Sequence, residues 1–242
     1  MKIIEPSYEI LTSLPGKGAY ALRDIETAAR TCYKSEDKST GDGVSAIALA
    51  TRLIKNGHEV PIEFYDITVR FICDRGVSHE LVRHRLASFC QESTRYCNYS
   101  KDKFGNGITV IEPVSFLKMP EEQKQLVRDI WESKPGAKVG NTNNIYWWYS
   151  CWYNACKTSE WSYMAMLDEG CQPEIARSVL PICLKTEVMM KANLREWRHI
   201  LELRTSERAH PEMRRIMIPL LCELHGKIPV VFDDIYSKVV VK

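Results

Sequence analysis

Ile67, Val69 and Phe71 alternate with Thr68, Arg70 and Ile72. A repeat of two puts one set of side chains on each face of an extended chain, so a strand is expected over 67–72. Shorter strands are expected at 2–4, 8–11 and 182–189. Apolar positions three and four apart instead mark helices at 24–33, 45–55, 77–82, 121–132, 143–167 and 191–208. Gln172-Pro173-Glu174 opens a further short helix, and Pro211 starts the last one. Gly57 stops the second helix, residues 105–107 form a turn-rich stretch, and Lys134-Pro135-Gly136 breaks the helix before it. Strands and helices mix without β-α-β alternation, which argues an α+β class. A chain of 242 residues with 45% hydrophobic content can bury a full core. One domain over 1–242 is therefore expected, with a helical excursion around 118–170.

Charge narrows the partners. Lys plus Arg number 33 against 31 Asp plus Glu, a net charge of +2, which leaves no strong field for long nucleic acid, so any phosphate must be held locally. Charges interrupt every apolar stretch well before the roughly 20 residues that a membrane helix needs. Nine cysteines lack a repeated Cys-x-x-Cys spacing and no signal peptide precedes Lys2-Ile3-Ile4-Glu5, so a reducing cytoplasm is expected, with the thiols mostly as core filler. The aromatics Tyr146, Trp147, Trp148, Tyr149, Trp152, Tyr153, Trp161 and Tyr163 occupy more than one side of the 143–167 helix, which assigns them to core or subunit packing rather than base stacking.

Two motifs mislead. Gly16-Lys17-Gly18-Ala19-Tyr20-Ala21 fits a loose dinucleotide fingerprint, but the second parallel strand that such a site needs is missing. His79-Glu80-Leu81-Val82-Arg83-His84 resembles a zinc-protease helix, yet its second histidine stands five residues on, about 140° around the helix from the first. No other His or Cys spacing supplies a ligand set, so no metal is expected.

The chemistry concentrates in Arg83-His84-Arg85-Leu86-Ala87-Ser88-Phe89-Cys90-Gln91-Glu92-Ser93-Thr94-Arg95-Tyr96. Arginine suits phosphate because its planar fork donates in pairs and stays charged. The 77–82 helix would carry Arg83 to Arg85 in its last turn. Beyond it, Ser93 and Arg95, two apart in an extended segment, would point to one side as a cradle for a nucleotide monophosphate. The plainer alternative is a solvated helix end. Further on, a helical wheel puts Arg204 on the apolar face with Leu194, Trp197, Ile200 and Leu201. A guanidinium there is either paired with a carboxylate or reaches a ligand anion from a cleft. Arg195 and His199 share a second, more polar side.

Read in order, Arg83-His84-Arg85, seven residues, Ser93, Arg95 and Tyr96 resemble the signature of flavin-dependent thymidylate synthases. Three more blocks are similar to that family: Gly57-His58 with Glu63, Ala176-Arg177 with Leu180-Pro181, and Asn193-Leu194-Arg195 with His199 and Leu203-Arg204. Val60 departs from the usual Ser or Thr, Phe64 replaces a common His, and Cys32 stands where a Ser often follows the Ala-Arg of the first helix.

The resemblance implies a mostly antiparallel sheet flanked by long helices. It also implies a homotetramer with sites at subunit interfaces, Arg177 reaching the nucleotide from a neighbouring subunit. The implied reaction moves a methylene group from methylenetetrahydrofolate to C5 of dUMP and reduces it to give dTMP, with FAD carrying the hydride that NADPH supplies. By the same likeness Glu80, Arg83, Gln91, Ser93, Arg95, Arg177 and Arg204 meet dUMP. Cys32, His58, Glu63, Arg83, His84, Arg85, Asn193, Arg195 and His199 meet the FAD. Charge develops on a uracil carbonyl as C5 becomes nucleophilic, and a fixed cation beside it lowers the barrier; Arg204 is the catalytic candidate. No cysteine nucleophile is implied: Cys90 and Cys97 read as packing thiols. Ser93 reads as a hydrogen-bond donor because no Ser-His-carboxylate set accompanies it. A flavin protein of this fold acting on another pyrimidine is the competing enzyme reading.

Overall fold

The computed structural model describes residues 1–135 and 144–241. In chain order these form β1 (Lys2–Ile4), β2 (Ser7–Ile10), α1 (Ala19–Tyr33), α2 (Val44–Lys55), β3 (Asp66–Asp74), α3 (Arg75–Leu81), β4 (Ala87–Gln91) and β5 (Thr109–Ile111). There follow α4 (Glu121–Ser133), α5 (Asn144–Asp168), α6 (Pro173–Ala176), β6 (Lys185–Asn193), α7 (Leu194–Thr205), α8 (Pro211–Lys227) and α9 (Pro229–Val240). Mixed helix and mostly antiparallel sheet is the class expected from the sequence. The larger sheet has the order β2-β3-β6-β4. Gly136 and Asn143, invoked above as a breaker and a helix start, lie outside the described residues.

The chain divides into two compact units. One comprises Met1–Pro6, Ile72–His79 and Gln91–Glu187; the other comprises Ser7–Phe71, Glu80–Cys90 and Val188–Lys242. In the first, β1 pairs in parallel with β5, Ile3 opposite Val110. Tyr99, Ile108, Val110, Cys156, Tyr163, Ala176 and Leu184 form one core cluster, and Phe116, Met119, Val127, Tyr146, Tyr149 and Tyr153 another. The tyrosines of α5 are therefore core, while Trp148 and Trp161 are exposed.

In the second unit the alternation over β3 buries Ile67, Val69 and Phe71 completely. Trp197 of α7 packs near Phe71, ring centroids 6.4 Å apart, and its indole N–H donates to the Ile67 carbonyl at 3.0 Å. Arg198, one residue on, donates to both carboxylate oxygens of Asp234 at 2.8 Å each, which fastens α9 to α7.

Several expected boundaries move. The first helix starts at Ala19, five residues early, because Gly16, Lys17 and Gly18 all adopt left-handed backbone and wind into a 3₁₀ turn ahead of it. The strand expected at 182–189 is β6, which starts at Lys185 and runs on to Asn193. Val188, Met190 and Ala192 are buried while Met189 and Lys191 are exposed, so the period of two continues where a helix was expected from 191. The helix itself ends at Thr205, with Ser206 as its cap. The last expected helix is two, because Pro229 drives the preceding Ile228 out of helical conformation (φ −142°, ψ 73°) and then begins α9.

Gly18 has a strict steric reason to be glycine. Its φ is +73°, and a Cβ there would lie 2.6 Å from Ile228 Cγ1. Gly18→Ala is expected to lower stability by about 2 kcal/mol through the left-handed backbone and overpacking together. Urea denaturation checks this, and an unchanged midpoint would count against it. No described helix is long and apolar enough to cross a membrane.

Candidate active site

Asn193 ends β6 and caps α7, its Oδ1 accepting the Glu196 N–H at 2.8 Å. That cap fixes where each later side chain of α7 points. Arg195 and His199 share its exposed side, as the wheel required, whereas Glu196 and Arg198 are buried. Arg195 donates to Glu63 at 2.6 Å, and its Nε lies 3.7 Å from Glu59. These groups, with Leu86 and Glu202, line a cleft of about 620 Å³. His58 is exposed nearby in sequence and lines a second hollow of about 440 Å³ with Arg30, Tyr33, Lys38, Arg52 and Asn56. Cys32 is exposed on α1.

At the far end of α7, Arg204 resolves the choice left open by its place on an apolar face. Its Nη1 donates to Glu80 Oε2 at 2.6 Å, Nη2 to the Glu80 carbonyl at 2.9 Å, and Nε to His84 Nε2 at 3.0 Å. Five N–H groups on a guanidinium less these three leave two for a ligand among the described residues.

Burial pushes the His84 imidazole down to about 4, with the charges of Arg204 and His199 adding to the effect. Burial also raises the Glu196 carboxyl above its ordinary range, against an opposing pull from His199. Arg83 to Arg85 are not the last turn of a helix. The helix α3 stops at Leu81, its last fully buried position, and the chain folds back through Arg83 N–H to the Glu80 carbonyl and His84 N–H to that of Leu81. Arg83 and Arg85 thereby reach solvent while His84 is 5% exposed, both its nitrogens facing protein groups.

The phosphate-cradle candidates lie in the other unit. Ser93 to Tyr96 form a turn, not an extended segment, because Tyr96 and Cys97 both donate to the Ser93 carbonyl. Ser93 Oγ instead meets Arg95 through the latter's backbone N–H at 3.3 Å. Arg177 donates to Thr94 Oγ1 at 3.3 Å and to the Glu174 carbonyl at 3.2 Å, and Arg95 Nε stands 3.7 Å from Glu174 Oε2. Within one unit, then, Arg95 and Arg177 flank the same turn, both exposed. Gln91 directs its amide N–H groups at Ser78 and Thr186, leaving its carbonyl oxygen as the atom able to take a ligand hydrogen bond.

Sequence reasoning overlooked Glu59, Thr94, Glu174 and Glu196, the partners of the arginines and of His84. For Glu196 a signal existed: an Asn with Glu three residues later is a capping pattern. His84, Glu196 and His199 also place ligand atoms within 4.8 Å of one another. Tetrahedral ligation at about 2.0–2.1 Å would bring such atoms to about 3.3 Å, and a guanidinium bonded to the same ring opposes a second cation.

Residues 19–230 match the model of the thymidylate synthase complementing protein family. The chain belongs to that family, the flavin-dependent thymidylate synthases. The flavin-dependent thymidylate synthase of Geobacter sulfurreducens is 29% identical over 217 residues, which span 87% of this chain and 80% of the relative. That of Corynebacterium aurimucosum is 30% identical over 88% of this chain and 79% of its own. A crystal structure of the UMP/dUMP methylase PolB from Streptomyces cacaoi bound with 5-Br dUMP matches with a TM-score of 0.73 over 96% of each chain, at 24% identity, which establishes a common fold.

Proposed function

We propose that this protein converts dUMP to dTMP by reductive methylation, with methylenetetrahydrofolate as one-carbon donor and NADPH as reductant acting through bound FAD. The observation that carries the reading is Arg204, a partly buried guanidinium held on two edges with two N–H groups unpartnered among the described residues. Such a cation needs no reorganisation when charge develops on a uracil carbonyl.

The donor set fits a flavin. A diphosphate and a polar ring edge need cations and amide donors around open space, and Arg195, His199 and Asn193 line one cleft while His58, Arg52 and Lys38 line another. Glu63, Arg83, Arg85 and Cys32 complete the proposed flavin contacts, and His84, whose ring nitrogens face Glu196 and Arg204, meets the cofactor through its carbon edge. The flavin would supply the hydride that reduces the transferred one-carbon unit. The protein's own part is positioning. Ser93, Arg95 and Arg177 hold the dUMP phosphate by charge-assisted hydrogen bonds. Gln91, Arg83 and Glu80 orient the nucleoside, Glu80 doing so while it holds Arg204. The chain works as a single domain in the cytoplasm and as a homotetramer with sites at subunit interfaces.

The test supplies purified protein with FAD, NADPH, methylenetetrahydrofolate and dUMP, with a parallel run lacking NADPH. NADPH-dependent dTMP is expected. No product despite tight binding of FAD and dUMP would refute the reading and favour another pyrimidine or carbon donor.

A further inference from the structure

Glu196 stands at an unspecified position between Arg195 and His199 of the matching block, yet it is a carboxylate only 7% exposed. Its Oε1 faces His84 Nδ1 at 3.5 Å. Across the same ring, His84 Nε2 receives the Nε–H of Arg204 at 3.0 Å. A guanidinium has no acceptor and keeps its protons, so that bond requires Nε2 to be bare. A neutral imidazole then carries its one proton on Nδ1, the nitrogen turned toward Glu196. The hydrogen bond made by one ring nitrogen sets the state of the other. The groups facing His84 are Arg204, Glu196 and His199 from α7, the His199 ring edge-on at 5.9 Å; Glu80 of α3 acts on it through Arg204. An imidazolium beside the Arg204 charge would be repelled, and the depressed pKa of His84 agrees with a ring that stays neutral.

We propose that Glu196 is a positioning residue: by accepting the Nδ1–H of His84 it selects the tautomer whose free Nε2 fixes the Nε edge of Arg204. Glu80 fixes the opposite edge, and together they aim the two remaining N–H groups of the guanidinium at a ligand oxygen. The inference rests on the reading of Arg204 as the cation beside the uracil carbonyl, but its first test does not depend on activity.

That test is ¹⁵N NMR of the full chain with labelled histidine and FAD added, recorded from pH 8 down to 5.5, with the His84 signals assigned by their loss in His84→Gln. His84 is expected to remain neutral with its proton on Nδ1 across this range, although an ordinary histidine would protonate near about 6.5. Glu196→Ala is expected to shift the proton to Nε2. It should also lower kcat for dTMP formation roughly tenfold or more while KM for dUMP stays within about twofold. Glu196→Gln, whose amide oxygen still accepts, should retain most of the rate. An Nε2–H or charged ring in the native protein at pH 7 overturns the proposal. So does an unaltered tautomer in Glu196→Ala, or a bound divalent metal on His84 Nδ1. If the tautomer and its loss in Glu196→Ala appear as expected but the native protein forms no dTMP, the activity reading fails and the Glu196–His84–Arg204 relay stands.

Discussion

Arg204→Ala is expected to lower dTMP formation by about 10²–10³-fold in kcat, the usual consequence of removing one preorganised donor from a developing oxyanion. Flavin absorbance and dUMP binding should change far less, because Arg204 is one of several cations, and Arg83, Arg95 and Arg177 lie outside α7. Arg204→Lys is the more informative partner. A lysine keeps the charge but has no fork and no Nε–H for His84, so it should leave most of the defect in place. Steady-state kinetics with saturating NADPH decide the matter, and turnover within a few-fold of the native rate in Arg204→Ala would remove this residue from the mechanism. Glu80 is the residue left behind in that variant. It is 36% exposed in its side chain, so it can be solvated and the protein should remain folded.

The largest effect on stability is expected at Trp197. Its side chain is fully buried, and its indole N–H satisfies the Ile67 carbonyl near the start of β3. Trp197→Ala should cost about 3–5 kcal/mol for the void, with a further contribution of about 1–3 kcal/mol from the orphaned carbonyl. Against a total stability on the order of 5–15 kcal/mol, that leaves little or no folded protein under mild denaturant. Trp197→Phe keeps most of the ring but not the donor, and should lose about 1–3 kcal/mol. Urea midpoints for the pair separate packing from hydrogen bonding. A loss below about 1 kcal/mol in the alanine variant would mean that the site collapses and fills.

Most helices and the central strand were legible because their burial depends on their own period. Ile67, Val69 and Phe71 announce β3, and the Val44–Lys55 helix differs from its expected span by one residue. The failures fall where a distant contact decides. Residues 191–193 have a pattern compatible with either period, and it is the neighbouring strands that keep them extended. The early start of α1 depends on left-handed backbone at Lys17, a residue type that gives no such warning.

For the site, the arginines and histidines were legible as an ordered string, but their acidic partners were not. Glu59 joins Arg195 and Arg198 from more than a hundred residues away. The sequence marks Glu196 as a capping position and no more, and only the arrival of His84 from a separate turn gives its carboxylate a partner. Charged residues at unremarkable spacing are where a single sequence is least informative.

The chain passes between its two compact units five times, since each unit is assembled from three separate stretches. The consequence is hereditary. A single genetic crossover with a relative, placed anywhere inside residues 7–187, gives both units a mixture of two parental sequences. Neither unit can be acquired, lost or exchanged as a block. Diversity in such a protein has to accumulate by point substitution, with the partners of each buried charge changing in step.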